Sequence, residues 1–287
     1  MAASIAWNET SLAIAGTRLH LARAGKGPPL LVLHHDTGTL PRLPFYDALA
    51  ERFDVLVPHH PGYGKSERPE WLRHPRDIAV MYRWLLSELD LSTPILVGLG
   101  LGGWIAAEMA TSAPRDVGAL VLVGAMGVKP PQGDILDQAL VSYMDYVKAG
   151  FHQQSAMDAV YGAEPSTDQL EQWDICREMS FRIAWKPYMY SQTLPHLLGG
   201  VKAKALGWIA AGGKLRVGML QRSAGIGGSV SRMKDPDRDK AFRTAHRARR
   251  ELRKDVMPRL CASLHTPRKR RTSGCPSCAT LLSSQET

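Results

Sequence analysis

The chain has 287 residues, which is enough for one large hydrophobic core or for two modest domains. Hydrophobic residues make up 44% of it, so a globular body is expected, and no apolar run reaches the roughly 20 residues of a membrane span. The start of the chain lacks a basic segment followed by an apolar block, and there are only four cysteines. We therefore expect no signal peptide, no disulfide framework and a cytoplasmic protein.

The net charge of +9 is divided unevenly along the chain. Residues 201–287 hold 20 basic and 6 acidic side chains, a net charge of +14, whereas residues 1–200 carry a net charge of −5. Aromatic residues are also scarce after residue 200, where only Trp208 and Phe242 remain. Two different compositions share one chain, and the basic part needs an explanation of its own.

The first part of the chain alternates strand patterns with helix patterns. Alternation around Gly16 predicts a hairpin of Ser11–Ala15 and Thr17–Ala22. Apolar runs typical of strands buried on both faces follow at Pro29–His34, Asp54–Pro58, Pro94–Leu99 and Gly118–Val123. Helical spacing lies between them at Phe45–Phe53, Asp77–Leu89 and Gly103–Ala113. This order predicts an α/β fold with a mostly parallel, doubly wound sheet.

The pattern changes between Lys129 and His196. Strand patterns vanish, and two amphipathic segments rich in Trp, Tyr and Met follow at residues 134–151 and 168–185. We interpret this part as a helical cap inserted after the Gly118–Val123 strand. The predicted organisation is a first part of the core at residues 1–128, a cap at 129–196 and an atypical basic region at 197–287.

Three motifs follow the ends of predicted strands in a fixed order. They are HHDTG from His34, PHHPGYGKS from Pro58 and GLGLGGW from Gly98. They resemble the H-G-x-x-G, P-D-x-P-G-x-G-x-S and G-x-S-x-G-G motifs of the α/β-hydrolase fold family. Three ordered motifs at family spacing make a specific signal, and the inserted cap resembles that of epoxide-hydrolase-like and carbon–carbon-bond-hydrolase branches. The resemblance covers roughly the first two-thirds of the chain.

Three positions depart from the family pattern. His35 stands in place of the first glycine of its motif, His59 replaces the usual aspartate, and Gly100 stands where the nucleophilic serine is expected. Without a side-chain oxygen at Gly100 no acyl-enzyme can form there. We expect the glycines around Gly100, which are Gly98, Gly102 and Gly103, to allow close packing of the helix on the strand, and Gly38 is the motif glycine of the HHDTG loop.

The resemblance implies that the backbone parts of the site persist. The Leu101 N–H and an N–H near Asp36 are the predicted oxyanion donors. His35, Trp185 and Tyr188 are candidates for lining an apolar pocket, although aromatic residues at helical spacing more often form the core of the cap itself. His34 and His35 lie in a loop whose role in the family is carried by its backbone, which favours a structural interpretation of both.

Two ligand classes are less well supported by these residues. The pattern G-x-G-x-G-G lacks the spacing of a dinucleotide-binding turn, and no acidic residue ends the following strand, so no nucleotide cofactor is expected. His34, His35, His59 and His60 lie at neighbouring strand ends and could cluster. No carboxylate or cysteine stands at ligand spacing beside them, so no metal is expected.

The pattern of the family stops after the cap. The resemblance implies a strand that brings the catalytic acid and a later G-H loop that brings the histidine. Residues 204–220 have only a trace of a strand, and neither partner can be assigned further on. We therefore expect the C-terminal strands to be missing or degenerate. Composition favours a reading-frame shift near residue 205, and the alternative is a genuine basic appendage that binds nucleic acid or an anionic membrane surface.

The family implies hydrolysis of small esters, or of carbon–carbon bonds next to a ketone. Since Gly100 replaces the nucleophile, we expect an impaired hydrolase. The alternative is a non-catalytic protein that binds a small apolar ligand containing a carbonyl group. Nucleic-acid binding through the basic region is the third hypothesis, and we do not favour it.

Overall fold

A computed structural model of the protein describes residues 5–130, 134–151, 153–211 and 214–219. Its centre is an eight-stranded sheet with strand order β1-β2-β4-β3-β5-β6-β7-β8. The strands are β1 Asn8–Ile14, β2 Thr17–Ala24, β3 Pro29–Leu33, β4 Asp54–Pro58, β5 Ile95–Leu99, β6 Ala119–Val123, β7 Lys204–Ala211 and β8 Lys214–Met219. Strands β4, β3, β5, β6 and β7 run parallel, and β1, β2 and β8 are antiparallel to their neighbours.

Helices cover both faces of the sheet and form the cap. They are α1 Pro44–Ala50, α2 Pro75–Glu88, α3 Leu101–Ser112, α4 Tyr143–Ala149, α5 Gln154–Tyr161, α6 Thr167–Ala184 and α7 Leu194–Leu197. The predicted α/β fold with a mostly parallel, doubly wound sheet is confirmed. None of the described helices is long and apolar enough to span a membrane.

Alternation along the central strands divides the hydrophobic core between the two faces. In β3, Leu31 and Leu33 belong to the core beneath α2 and α3, while Leu30 and Val32 belong to the core beneath α1. All four side chains are almost fully buried. A strand covered on both faces reads as a continuous apolar run, which is why the sequence shows no alternation here.

The start of α2 shows how local sequence fixes a helix end. His74 precedes the helix and its side chain accepts a hydrogen bond from the Arg76 N–H, while Asp77 accepts from the His74 N–H. Pro75 occupies the first turn, where its missing N–H has no intrahelical partner to lose. This reciprocal capping stabilises a helix that packs directly against α3.

The cap leaves and rejoins the core at adjacent points. The Ser191 N–H donates to the Gly127 carbonyl at 2.9 Å, and the Gly127 N–H donates to the Met189 carbonyl at 3.3 Å. Within the predicted amphipathic segment 134–151, only Tyr143–Ala149 is helical. The residues before it are instead held by individual hydrogen bonds to the core and to α6.

The structure corrects the expectation that residues 204–220 carry only a trace of a strand. Lys204–Ala211 pairs in parallel with β6, and Lys214–Met219 returns antiparallel to it. An unpaired β6 edge presents a row of backbone donors and acceptors, so pairing can recruit a segment whose own apolar pattern is weak. Residues 220–287 lie outside the described residues. The structure therefore does not test the basic region, its cysteines or the hypothesis of a frame shift.

Candidate functional site

The turn from β5 to α3 is centred on Gly100. Its φ and ψ angles are 52° and −114°, a backbone conformation that side-chain-bearing residues rarely adopt. Its N–H donates to the Val123 carbonyl at 3.0 Å, and its carbonyl accepts from the Gly103 and Met126 amides, both at 3.0 Å. The turn is therefore sharp and held by hydrogen bonds to the neighbouring β6 loop.

The glycines around this turn are required for close packing. A Cβ on Gly98 would lie 2.5 Å from the Gly103 Cα, and a Cβ on Gly103 would lie 2.5 Å from the Ala125 Cβ. A Cβ on Gly102 would overlap the Leu33 carbonyl. The Gly102 N–H also donates to the His34 carbonyl at 3.0 Å, which joins α3 to the end of β3.

Leu101 supplies the first amide of α3. Within the part of the chain that the structure describes, the Leu101 N–H has no hydrogen-bond acceptor, as is usual for the first turn of a helix. The whole Leu101 residue is fully buried, its backbone included, so this amide lies inside the core. Such an amide, with the positive end of the helix dipole behind it, can donate to a carbonyl or oxyanion.

His35 occupies the space beside Gly100. A Cβ built on Gly100 would overlap the imidazole at Cδ2 and Nε2 and would lie 2.8 Å from Cγ. The His35 side chain therefore fills the volume where the family has its nucleophile. The sequence favoured a purely structural role for His35, carried by its backbone, whereas in the structure its side chain lies at the turn. About 40% of the His35 side chain is exposed, so part of it reaches solvent.

Asp36 is completely buried and has three side-chain donors around its carboxylate. Its Oδ1 pairs with the His35 Nδ1. Its Oδ2 accepts from the Tyr146 hydroxyl at 2.7 Å and from the Gln138 Nε2 at 2.8 Å. The last two residues belong to the cap, so a single carboxylate joins the loop after β3 to the inserted domain.

The pairing sets the charge of both groups. Burial raises the pKa of the Asp36 carboxyl, but the attraction of His35 and the hydrogen bonds from His35 and Tyr146 outweigh burial and lower that pKa. Burial lowers the pKa of His35, and the Asp36 carboxylate more than compensates, so the pKa of His35 is raised. Because Nδ1 faces the carboxylate, the ring proton of neutral His35 lies on Nδ1, and Nε2 has no hydrogen-bond partner among the described residues.

The cap residues predicted to line a pocket have different surroundings. The Tyr188 hydroxyl accepts from the Gln138 N–H at 2.8 Å and donates to the Leu136 carbonyl at 3.1 Å, which positions the segment that reaches Asp36. Trp185 packs edge-to-face against Tyr188 and is 46% exposed. Gly38 approaches the cap as well, since a Cβ there would lie 3.0 Å from the Cys176 Sγ.

Four other histidines form a separate cluster beneath the loop. The rings of His34 and His60 lie 3.7 Å apart, and those of His20 and His59 lie 4.7 Å apart. The His60 N–H donates to the His34 Nε2 at 2.9 Å, and the Tyr82 hydroxyl bonds to the His60 Nδ1 at 2.6 Å. His35 is not part of this cluster, which corrects the expectation that it groups with His34, His59 and His60.

The histidine cluster is built to stay uncharged. Burial lowers the pKa of His60 to about 3 and that of His59 to about 4, and it holds the pKa of His34 well below its usual range. Among the described residues no group of His, Cys, Asp or Glu side chains is arranged to hold a metal ion. Ser66 completes the cluster by donating to the His59 carbonyl at 2.8 Å and accepting from the His20 N–H at 2.9 Å.

The structure thus brings Gly100, Leu101, His35 and Asp36 together, with Tyr146 and Gln138 as residues that sequence reasoning missed. No sequence signal marks these two, because they lie 110 and 102 residues from Asp36 along the chain. After Lys204 the next acidic residue in the sequence is Asp235, which lies outside the described residues. The acid and histidine that the resemblance implies after the cap therefore have no assigned position.

A protein-family model described as alpha/beta hydrolase fold matches residues 29–175. The 2-hydroxymuconate semialdehyde hydrolase of Pseudomonas sp. strain CF600 is 34% identical over 131 residues, which is 43% of this chain and 45% of that protein. A 1-acylglycerol-3-phosphate O-acyltransferase of Arabidopsis thaliana is 34% identical over 36% of this chain and 27% of its own length. The chain thus spans less than half the length of these relatives.

Solved structures share the architecture at low identity. The N-formylmaleamic acid deformylase of Pseudomonas putida S16 superposes with a TM-score of 0.54 at 18% identity, over 71% of this chain and 82% of the other. The naproxen esterase of Bacillus subtilis also gives a TM-score of 0.54, at 14% identity, over 71% of this chain and 73% of the other. At such identities the likeness concerns the fold alone.

Proposed function

Because the chain belongs to the α/β-hydrolase fold family, we propose that it binds a small carbonyl compound at the Gly100 turn and has lost serine-type hydrolysis. The observation that carries the proposal is the position of the His35 ring beside Gly100. Gly100 has no oxygen nucleophile, and the imidazole of His35 takes up the space that a nucleophile would need. No side-chain atom at this position can attack a carbonyl carbon, so no acyl-enzyme can form there.

The binding half of the proposal depends on the Leu101 amide. This N–H has no acceptor in the described part of the chain and lies at the start of the buried helix α3. A ligand carbonyl oxygen placed there gains a hydrogen bond reinforced by the helix dipole. Relatives named as a semialdehyde hydrolase and an acyltransferase act on carbonyl compounds, which supports the same ligand class.

The test of binding uses acetophenone, a small ketone that cannot be hydrolysed. We expect it to shift the amide resonance of Leu101 in the full-length protein labelled with ¹⁵N-leucine. The Leu101→Pro variant lacks the N–H and should lose affinity, whereas the matched Leu101→Val variant keeps the N–H and should bind. Circular dichroism checks that both variants fold, because Leu101 is buried.

The test of the lost chemistry uses a fluorophosphonate, which labels activated serines covalently. We expect no label on the wild-type protein and no burst of nitrophenol from 4-nitrophenyl butyrate. A stoichiometric label that maps near the turn would contradict the loss of serine-type hydrolysis. An unshifted Leu101 amide at saturating acetophenone would contradict the binding site.

A further inference from the structure

We propose that His35, held by Asp36, is a general base that replaces the missing nucleophile by activating water against a small ester bound at Leu101. This inference rests on the proposed function, since it uses the same bound carbonyl. Its basis is geometric: the imidazole lies where the nucleophile of the family would stand, and its free Nε2 faces the Gly100 side of the site.

The orientation of the ring makes His35 suitable for this role. Nδ1 is paired with a fully buried carboxylate, so rotation of the ring would leave Asp36 without a partner on Oδ1. The Tyr146 hydroxyl and the Gln138 amide hold the other carboxylate oxygen at 2.7 and 2.8 Å. Asp36 is therefore a positioning residue, and the cap fixes it from the opposite side.

His35 is placed so that its imidazole can exchange a proton between the neutral form and the imidazolium. Asp36 is the only charged side chain paired with it in the described part of the chain. His34 lies next in sequence and is buried and neutral. The half-exposed His35 ring thus differs from the four histidines of the cluster, which are all buried.

The proposed ester hydrolysis needs neither a cofactor nor a covalent intermediate. A water oxygen attacks the carbonyl carbon and forms the new C–O bond while the His35 Nε2 takes a proton from that water. The carbonyl oxygen becomes an oxyanion that stays bonded to the Leu101 N–H. The bond to the alkoxide then breaks, and Nε2–H returns the proton to it, which gives a carboxylic acid and an alcohol.

The experiment measures steady-state hydrolysis of 4-nitrophenyl butyrate by the full-length protein. His35→Gln keeps a polar side chain but removes the base, and we expect kcat to fall by about 100-fold, the lower range for a lost general base. The matched control His196→Gln removes an exposed histidine on α7 and should leave the rate unchanged. Asp36→Asn should move the pH profile of kcat to lower pH, because a carboxylate no longer raises the pKa of His35.

A rate for His35→Gln within twofold of wild type overturns the inference, and so does a wild-type rate no higher than that of buffer. If His35→Gln fails to fold, modification of the wild type by diethyl pyrocarbonate replaces it. Carbethoxylation mapped to His35 should then abolish turnover, and turnover that survives full modification of His35 overturns the inference. Acetophenone binding separates the two proposals: binding without His35-dependent turnover refutes only the general base, whereas absent binding refutes the proposed function.

Discussion

The imidazole of His35 occupies the volume that a Cβ on Gly100 would need. In the family pattern the first of these positions is glycine and the second is the nucleophile. The ring from the loop after β3 and the glycine at the turn are therefore complementary in volume. We expect a change at either position alone to disturb the other.

The first prediction concerns this pair. Gly100→Ala should destabilise the protein by about 1–3 kcal/mol, because alanine is strained at φ 52° and its Cβ displaces the ring from Asp36. Adding His35→Gly removes the overlap, and the double-mutant cycle should give a favourable coupling of about 1 kcal/mol. Urea unfolding of the two single variants and the double variant measures it. Strictly additive free energies would show that the two residues do not share the space.

The second prediction tests the link between Asp36 and the cap. Tyr146→Phe removes a donor to a buried carboxylate and should lower the free energy of unfolding by about 1.5–3 kcal/mol. Tyr143→Phe is the matched control on the same helix, because the Tyr143 hydroxyl is buried without a hydrogen-bond partner among the described residues. That change should be neutral or stabilising in thermal and urea unfolding. Equal losses in both variants would contradict the assignment of Tyr146.

The third prediction is a loss of stability in acid. The folded-state pKa values of His59 and His60 are lowered to about 4 and about 3, so below the ordinary value of 6.5 the unfolded chain binds more protons than the folded one. Stability is complete above pH 6.5 and falls as the pH drops toward the folded values, by up to about 1.4 kcal/mol per pH unit for each histidine.

Urea unfolding between pH 7 and pH 5 measures this slope. His59→Asn keeps an acceptor for the Lys65 N–H, which donates to the His59 Nδ1 at 2.9 Å, but it has no titratable group. Its slope should be smaller by about one proton. A slope identical to that of the wild type would mean that His59 is protonated alike in the folded and unfolded chains.

The fourth prediction concerns the contact between β5 and α3. Gly98→Ala places a Cβ 2.5 Å from the Gly103 Cα, and backbone atoms on both sides cannot yield as a flexible side chain does. We expect a loss of several kcal/mol, at the upper range for overpacking of a core. Gly199→Ala serves as the control, since a Cβ there meets nothing within 4 Å. Thermal melting of both variants compares them, and a stable Gly98→Ala protein would show that the helix can move off the strand.

The sequence predicts the sheet well for a physical reason. Buried parallel strands must be continuously apolar and must be separated by helices, so runs such as Pro29–Leu33 and Ile95–Leu99 stand out from their surroundings. The turn at Gly100 can also be predicted from the sequence, because close packing admits only glycine at positions 98, 102 and 103. In these places local composition and tertiary packing demand the same residues.

Other features depend on contacts that no local pattern encodes. The position of the His35 ring follows from the absence of a side chain at Gly100, and these residues lie far apart in the chain. The segment around Gln138 was predicted to continue an amphipathic helix, yet it is held by the Tyr188 hydroxyl and by Asp36. Strand β7 is paired in parallel along the edge of β6, a partner that lies about 80 residues earlier in the chain.

The Asp36 carboxylate couples its own ionisation to the packing of the cap. Any motion that lifts the cap away takes the Tyr146 hydroxyl and the Gln138 amide from Oδ2, and the carboxylate then holds its charge with fewer donors. The Tyr146 hydrogen bond stabilises the charged form of Asp36 and lowers the pKa of its carboxyl. Packing of the cap and ionisation of Asp36 are thus thermodynamically linked, so that protonation of the carboxylate in acid weakens the attachment of the cap to the loop after β3.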